Sequence, residues 1–402
     1  MHLIVRYRRI LNMKLLFLDT PSFGKPDMIS AFENIGFEVS VFFHEKLREY
    51  LCPEFDNYFD DLVKSDTYQF VFSFNYYPAV SNGCNRNGLK YLAFVYDNPL
   101  LSLYSYTLIN PCNYVFLFDK NCYVSFAREG IETVYYLPLC ANTKRLSQMT
   151  LPPEKREIVS SDVSFVGALY NEEHNFFDRM KNLDMYTRGY LDAIIQAQLK
   201  INGYFFIEEL LTPDVLKAMK SSLEYTTIPG GTESDAYVYA NYFIARKITS
   251  MERPELLSKV SERFQTKLYT HNPTPELPHI QNMGTVDYYN VMPHIFKNSK
   301  INLNITLRSI QSGMPLRAWD IMGAGGFLLS NYQADFLDFF VPGEDFDYFD
   351  GSEDLLSKIE YYLSHDKERN EIAQNGYRKV AEAHTYHHRV ISMLQTADLL
   401  PD

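Results

Sequence analysis

The segment Lys300–Asn331, KINLNITLRSIQSGMPLRAWDIMGAGGFLLSN, carries the residue types best spaced for chemistry. Arg317 and Asp320 are three positions apart, so on a helix they share one face. The guanidinium offers a fixed cation to a phosphate, and the carboxylate accepts hydrogen bonds from vicinal hydroxyls. Those are the two demands of a nucleotide's diphosphate and ribose. A plain surface ion pair has the same spacing, and spacing alone leaves both readings open. Arg308 and Ser312 stand in the polar loop just upstream. Two further carboxylates, Asp97 and Asp119, follow the apolar runs Tyr91–Tyr96 and Tyr114–Phe118. Polar groups just past the carboxyl ends of parallel strands are where open α/β sheets do their chemistry. Asp97 is therefore the first candidate for a general base and Asp119 the reserve, although an Asp before Asn-Pro is also an ordinary turn former.

These residues need particular elements to hold them. Ile301–Ile305 is apolar and of strand type. Pro315 suits a first helical turn, because the N–H it lacks would have had no partner there. The helix then runs through Met322, Gly323, Gly325 and Gly326 stop it, and Phe327–Ser330 resumes as a strand. Strand, loop, helix and strand form the kind of unit that binds phosphate at a helix N-terminus. Ahead of it, Lys14–Asp19, Phe37–Phe43, Gln69–Phe74, Tyr91–Tyr96, Tyr114–Phe118 and Glu132–Leu137 read as buried strands of a first sheet. Pro138–Arg156 suits a linker, and Asp162–Gly167 and Thr266–Thr270 begin a second sheet. The stretch Asn175–Phe264 is helical and long for a single crossover. It is predicted to be an insertion serving acceptor recognition, or acting as a lid or packing layer.

Composition narrows the class. A chain of 402 residues with 46% hydrophobic and 15% aromatic content is globular and long enough for two domains. A net charge of −12 argues against nucleic-acid or anionic-membrane partners, which call for a basic field. No apolar run approaches the roughly eighteen residues of a membrane span. The five cysteines all precede residue 141 and form no CxxC pair, which predicts reduced thiols and a cytoplasmic protein. Residues 1–12 are predicted to be an upstream extension of the reading frame rather than a signal peptide.

The pattern Gly313-x-Pro315-x-Arg317-x-x-Asp320-x-x-Gly323-x-Gly325-Gly326-Phe327-Leu328-Leu329 resembles the donor-site signature of CgeB-like glycosyltransferases, a branch of the two-domain GT-B class. Asp162–Gly167, Gly284–Tyr289, Asn302–Thr306, Val341–Glu344 and Asn375–Tyr377 extend the likeness over most of the chain from Tyr91 onward. The resemblance implies an α/β fold of two Rossmann-like domains facing a cleft. Residues 1–150 would form the acceptor side. Residues 151–379 would bind the nucleotide-sugar, with the helical insertion at about 175–264, and 380–402 would be a helix crossing back to the first domain. It implies a hexosyltransferase-type activity from a nucleotide-diphosphate sugar to an acceptor such as a protein, glycan or cell-surface polymer. Gly167, Arg308, Ser312, Gly313, Arg317 and Asp320 would bind the donor. Related retaining enzymes carry two glutamates eight positions apart; here Asp320 matches the second and Ser312 occupies the place of the first. Two rival readings follow from that departure and from the architecture: a non-catalytic scaffold or activator of a partner enzyme, and a sugar-nucleotide epimerase.

No metal is expected. Asp345-Phe346-Asp347 spells DxD, but Val341-Pro342-Gly343-Glu344 turns the chain just before it, so the acids read as loop carboxylates. His384 and His388 are four apart without a third ligand nearby. Activity is accordingly predicted to survive excess EDTA. A loss that manganese or magnesium restores would return Asp345 and Asp347 to the site.

Overall fold

The computed structural model describes residues 13–172, 175–225 and 230–400. The extension predicted for residues 1–12 lies outside the described residues. The chain forms two compact units. The first comprises the described residues up to 139 together with 230–233 and 385–400, and the second comprises 140–225 and 234–384. The division thus falls at Leu139 rather than near 150, and the return to the first unit begins at Thr385 rather than 380.

Each unit is built on a six-stranded parallel sheet. The first runs in the order β2-β1-β3-β4-β5-β6, from β1 (Met13–Leu18), β2 (Phe37–Phe42), β3 (Tyr68–Phe74), β4 (Lys90–Val95), β5 (Asn113–Leu117) and β6 (Val134–Tyr136). Leu15–Leu18 and Phe70–Phe74 are buried along their length, as expected of strands covered on both faces. The helix Pro78–Asn87, of which the sequence pattern gives little sign, comes after β3. The helix Tyr386–Thr396 also packs in this unit. Its Arg389 donates from Nε to the Pro138 carbonyl (2.7 Å), and Lys90 of β4 reaches the carbonyl of Ala397.

The second sheet has the order β12-β11-β10-β7-β8-β9. Its strands are β7 (Val163–Val166), β8 (Thr266–Tyr269), β9 (Gln281–Asn282), β10 (Ile301–Asn304), β11 (Leu328–Asn331) and β12 (Asp347–Phe349). β10 alternates. Ile301, Leu303 and Ile305 enter the apolar core with Val163 and Phe165, while Asn302 and Asn304 face the other way. Register then pairs Asn302 with Ser164, whose hydroxyl donates to Asn302 Oδ1 (2.8 Å), and Asn304 with Ser330, which takes Asn304 Nδ2 (2.9 Å).

The predicted insertion is shorter than 175–264. Helices Met185–Gln198, Ile207–Leu210 and Pro213–Ser222 belong to it, but Ala245–Ser261 is the crossover into β8 and puts Leu256, Leu257 and Val260 in the sheet's core. A π-helical turn, Tyr239–Ile244, joins that helix to Asp235–Val238. No described helix is long and apolar enough to cross a membrane.

The glycines after the helix Leu316–Gly323 do more than stop it. Gly325 takes φ +79°, open to glycine at little cost. Gly326 lies so close to the Phe296 carbonyl oxygen that a Cβ would overlap it, and would also sit 2.8 Å from Asn302 Nδ2. Gly326→Ala must push backbone rather than a side-chain tip, and is predicted to lower stability by about 1–3 kcal/mol in urea unfolding. An unchanged midpoint would show that the strand and helix shift freely there.

Candidate donor site

Both sheets reverse direction of winding at one place. In the second sheet that switch point lies between β7 and β10, where the chain leaves toward β8 on one side and β11 on the other. Open α/β sheets bind ligands past the carboxyl ends of the strands at this point. Gly167 comes directly after β7, and the loop after β10 leads to the helix Leu316–Gly323.

Arg317, in the first turn of that helix, is the centre of the site. Its Nη1 donates to Asn304 Oδ1 (3.1 Å), and its guanidinium lies 4.7 Å from the Phe165 ring centroid. Asn304 has only one way to accept this bond, because its Nδ2 is committed to Thr306 Oγ1 (3.0 Å) and Ser330 Oγ. The strand therefore sets the amide and the amide sets the arginine. Gly167 makes room for it: at φ +152°, a Cβ would stand 2.8 Å from Arg317 Nη2. Burial, with the nearby Arg253 charge adding to it, pushes the guanidinium down to about 9, which leaves it charged at neutral pH. Pro315 caps the helix, so the N–H groups of Leu316 and Arg317 open its N-terminus.

Asp320 lies on the same helix and is 5% exposed. It accepts from the Tyr288 hydroxyl (3.2 Å) and helps to keep Arg317 charged, so the two predicted partners are neighbours, while Arg317 donates its hydrogen bond to Asn304. The surface ion pair is therefore not what this spacing encodes.

Arg308 is placed differently from the expectation. It is 8% exposed and forms a two-pronged pair with Glu252, Nε to Oε2 at 2.9 Å and Nη2 to Oε1, while Nη1 donates to the Ile201 carbonyl (3.0 Å). Removing such an arginine would strand a buried carboxylate. It ties the insertion to the sheet and is already committed. Ser312 and Gly313 are buried in the turn that leads into Pro315, and the Ser312 carbonyl accepts from the Asp335 N–H (3.0 Å).

The residue that sequence reasoning missed is Arg253. It is 2% exposed, donates from Nε (3.1 Å) and Nη2 to the Ile305 carbonyl, and from Nη1 to the Ala168 carbonyl. It thus fastens the loops after β10 and β7 to each other. No local motif surrounds it in the helix Ala245–Ser261. Asn304 had a legible signal, an Ile-Asn-Leu-Asn-Ile alternation inside a strand.

The DxD acids and the tail histidines have structural partners. Asp345 takes the Val341 N–H (2.8 Å) and pairs with Lys379, and Asp347 takes Lys358 (3.0 Å) and the Tyr362 hydroxyl (2.8 Å). His388 bonds Thr385 in a capping box, and His384 packs on Trp319, ring centroids 5.0 Å apart. Among the described residues no group of three His, Cys, Asp or Glu side chains is disposed to hold a metal ion.

In the first unit the switch point lies between β1 and β3. Asn75, at the end of β3, adopts φ 59° and its Oδ1 takes the N–H groups of Tyr96 (2.9 Å) and Asp97 (3.1 Å). Its Nδ2 donates to Asp97 Oδ2 (2.8 Å), so Asp97 is exposed but oriented. Asp119 is 1% exposed and is the N-cap of the helix Lys120–Arg128. It accepts from the Cys122 N–H (3.1 Å) and from Asn98 Nδ2 (3.1 Å). Its carboxylate thus serves as a helix cap.

Residues 252–395 match the family described as glycosyl transferase-like. Solved structures similar to the whole chain include a glycosyltransferase from Rickettsia africae ESF-5, with TM-score 0.54 and 11% identity over 96% of this chain and 97% of that one. Sucrose-phosphate synthase from Thermosynechococcus elongatus gives 0.54 and 9% over 96% and 98%. Anabaena HepE in complex with UDP and glucose gives 0.54 and 10% over 96% and 100%. At these identities the likeness is one of fold, and the two six-stranded parallel sheets have the two-domain GT-B architecture. No curated protein matches the chain.

The cap assignment has a direct check. Asp119→Ala should lose about 0.5–2 kcal/mol of stability, and Asp119→Asn, which still caps, a few tenths. A collapse of turnover in Asp119→Asn at unchanged melting temperature would restore it as a base.

Proposed function

We propose that this protein is a glycosyltransferase of hexosyl type, in the CgeB-like branch, with its nucleotide-diphosphate sugar seated at the β7/β10 switch point. The observation that carries this reading is the seating of Arg317, a cation held by Asn304 over bare Gly167 beside an open helix N-terminus. When the bond between the sugar's anomeric carbon and the β-phosphate oxygen breaks, its electron pair stays on that oxygen. Prepositioned cations and N–H groups at the growing charge lower the barrier most. They can do so without a divalent ion, which supports metal independence. Asp320 is proposed to accept the ribose hydroxyls, a nucleoside hydroxyl taking the place that Tyr288 occupies on Oδ1. Asp97, oriented by Asn75, is the carboxylate proposed to receive the acceptor's proton.

Calorimetry with UDP, GDP, ADP and CDP tests the donor site. Asp320→Ala should weaken the best-bound nucleotide at least tenfold, since a charged hydrogen bond contributes about 1.5–3 kcal/mol. Arg317→Ala should do at least as much, with circular dichroism unchanged. Affinities equal to wild type in both variants would remove the nucleotide from this site, and turnover without an acceptor would favour an epimerase.

A further inference from the structure

Around Tyr170, just past Gly167, several cations gather. Tyr170 holds φ 60°, a strained backbone for a residue with a bulky side chain. Its ring centroid lies 5.0 Å from the Arg253 guanidinium carbon and 5.8 Å from that of Arg246. Phe165 beneath is contacted by Arg253 (5.3 Å) and Arg317 (4.7 Å). The carboxylates of this neighbourhood are already engaged: Glu252 by Arg308, Asp320 by Tyr288, and Glu172 by Asn272 (3.0 Å) and His271 (3.4 Å). Arg253 donates to carbonyl oxygens, with the Glu252 carboxylate near enough to favour its charge. Arg246 differs from the others. Its Nε is buried and has no hydrogen-bond partner, a cost that a folded chain rarely carries without a use.

We propose that Arg246 is a second donor-contact cation, which binds the distal phosphate of the nucleotide diphosphate beside Tyr170. The inference rests on the nucleotide-sugar reading of the site and extends it to a residue at the head of the crossover helix. Asp320 marks the nucleoside end and Arg317 the diphosphate, and Tyr170, near enough to Arg317 to favour its charge, carries Arg246 on its ring. The π-helical turn Tyr239–Ile244 ends immediately before this helix. Arg246 and Arg253 are seven apart on it, about two turns, so they share the face that Tyr170 meets.

The test compares Arg246→Ala and Arg246→Gln with wild type, using UDP and UMP, or the diphosphate and monophosphate of whichever base binds best. A distal-phosphate contact predicts diphosphate affinity about tenfold lower in both variants and monophosphate affinity within twofold of wild type. The melting temperature should stay level or rise, because the variants remove an unpartnered buried N–H. Equal losses for both nucleotides, or a lower melting temperature with an unchanged affinity ratio, would make Arg246 a structural residue and overturn the inference. Wild-type diphosphate affinity in the Arg246 variants, alongside a loss in Arg317→Ala, would overturn it while leaving the donor site standing. If wild type binds no nucleoside diphosphate, both readings fall.

Discussion

The second unit depends on a buried cation. Arg253 lies beneath the carboxyl ends of β7 and β10 and holds the carbonyls of Ala168 and Ile305 at once. Parallel strands diverge at their ends, and a crevice between two of them needs something to fix its width. A guanidinium fits this task because its donors form a rigid fork. Its burial costs solvation that its hydrogen bonds return only in part, and Arg253's own ionisation is pushed down by that burial. The buried guanidinium is also a source of positive potential, and it lies where the sheet's topology already favours a ligand. The support that shapes the crevice is therefore also part of its electrostatics.

That economy extends along β10. In an all-apolar strand, Asn302 and Asn304 would be defects. Here Asn302 answers Ser164 and the Phe296 carbonyl, and Asn304 answers Thr306, Ser330 and Arg317. A polar row crosses the sheet from β7 to β11 on one face while the other face stays apolar. Because every member is satisfied, the row fixes strand register and arginine orientation together.

The legibility of each part depends on where its signal resides. Strands buried on both faces announce themselves as apolar runs, so β1, β3, β4, β5 and β7 are legible to within a residue or two. The helix Pro78–Asn87 was not, since its sequence PAVSNGCNRN is rich in poor helix formers and is held by packing of Ala79, Val80 and Cys84. The candidate site is legible where it is local: Arg317, Asp320 and the glycines sit in one motif. It was illegible where it depends on distant partners. Nothing near Arg308 says that Glu252 will take it, and nothing near Arg253 says that two loops will need it. Asp119 was read for the end of its strand, whereas the helix that begins after it claimed its carboxylate first.

The helix Tyr386–Thr396 gives the chain an order of assembly. It completes the first unit: Arg389 closes on Pro138 and Leu139, and Lys90 meets Ala397, 307 residues further along. On a ribosome, domains ordinarily fold as they emerge, the earliest first. Here the earliest sheet must wait for the last helix to be synthesised, while the second unit emerges and can close in between. The second half of the polypeptide is thus the first part able to finish folding, and the opening half must pass that interval with one flank of its sheet uncovered.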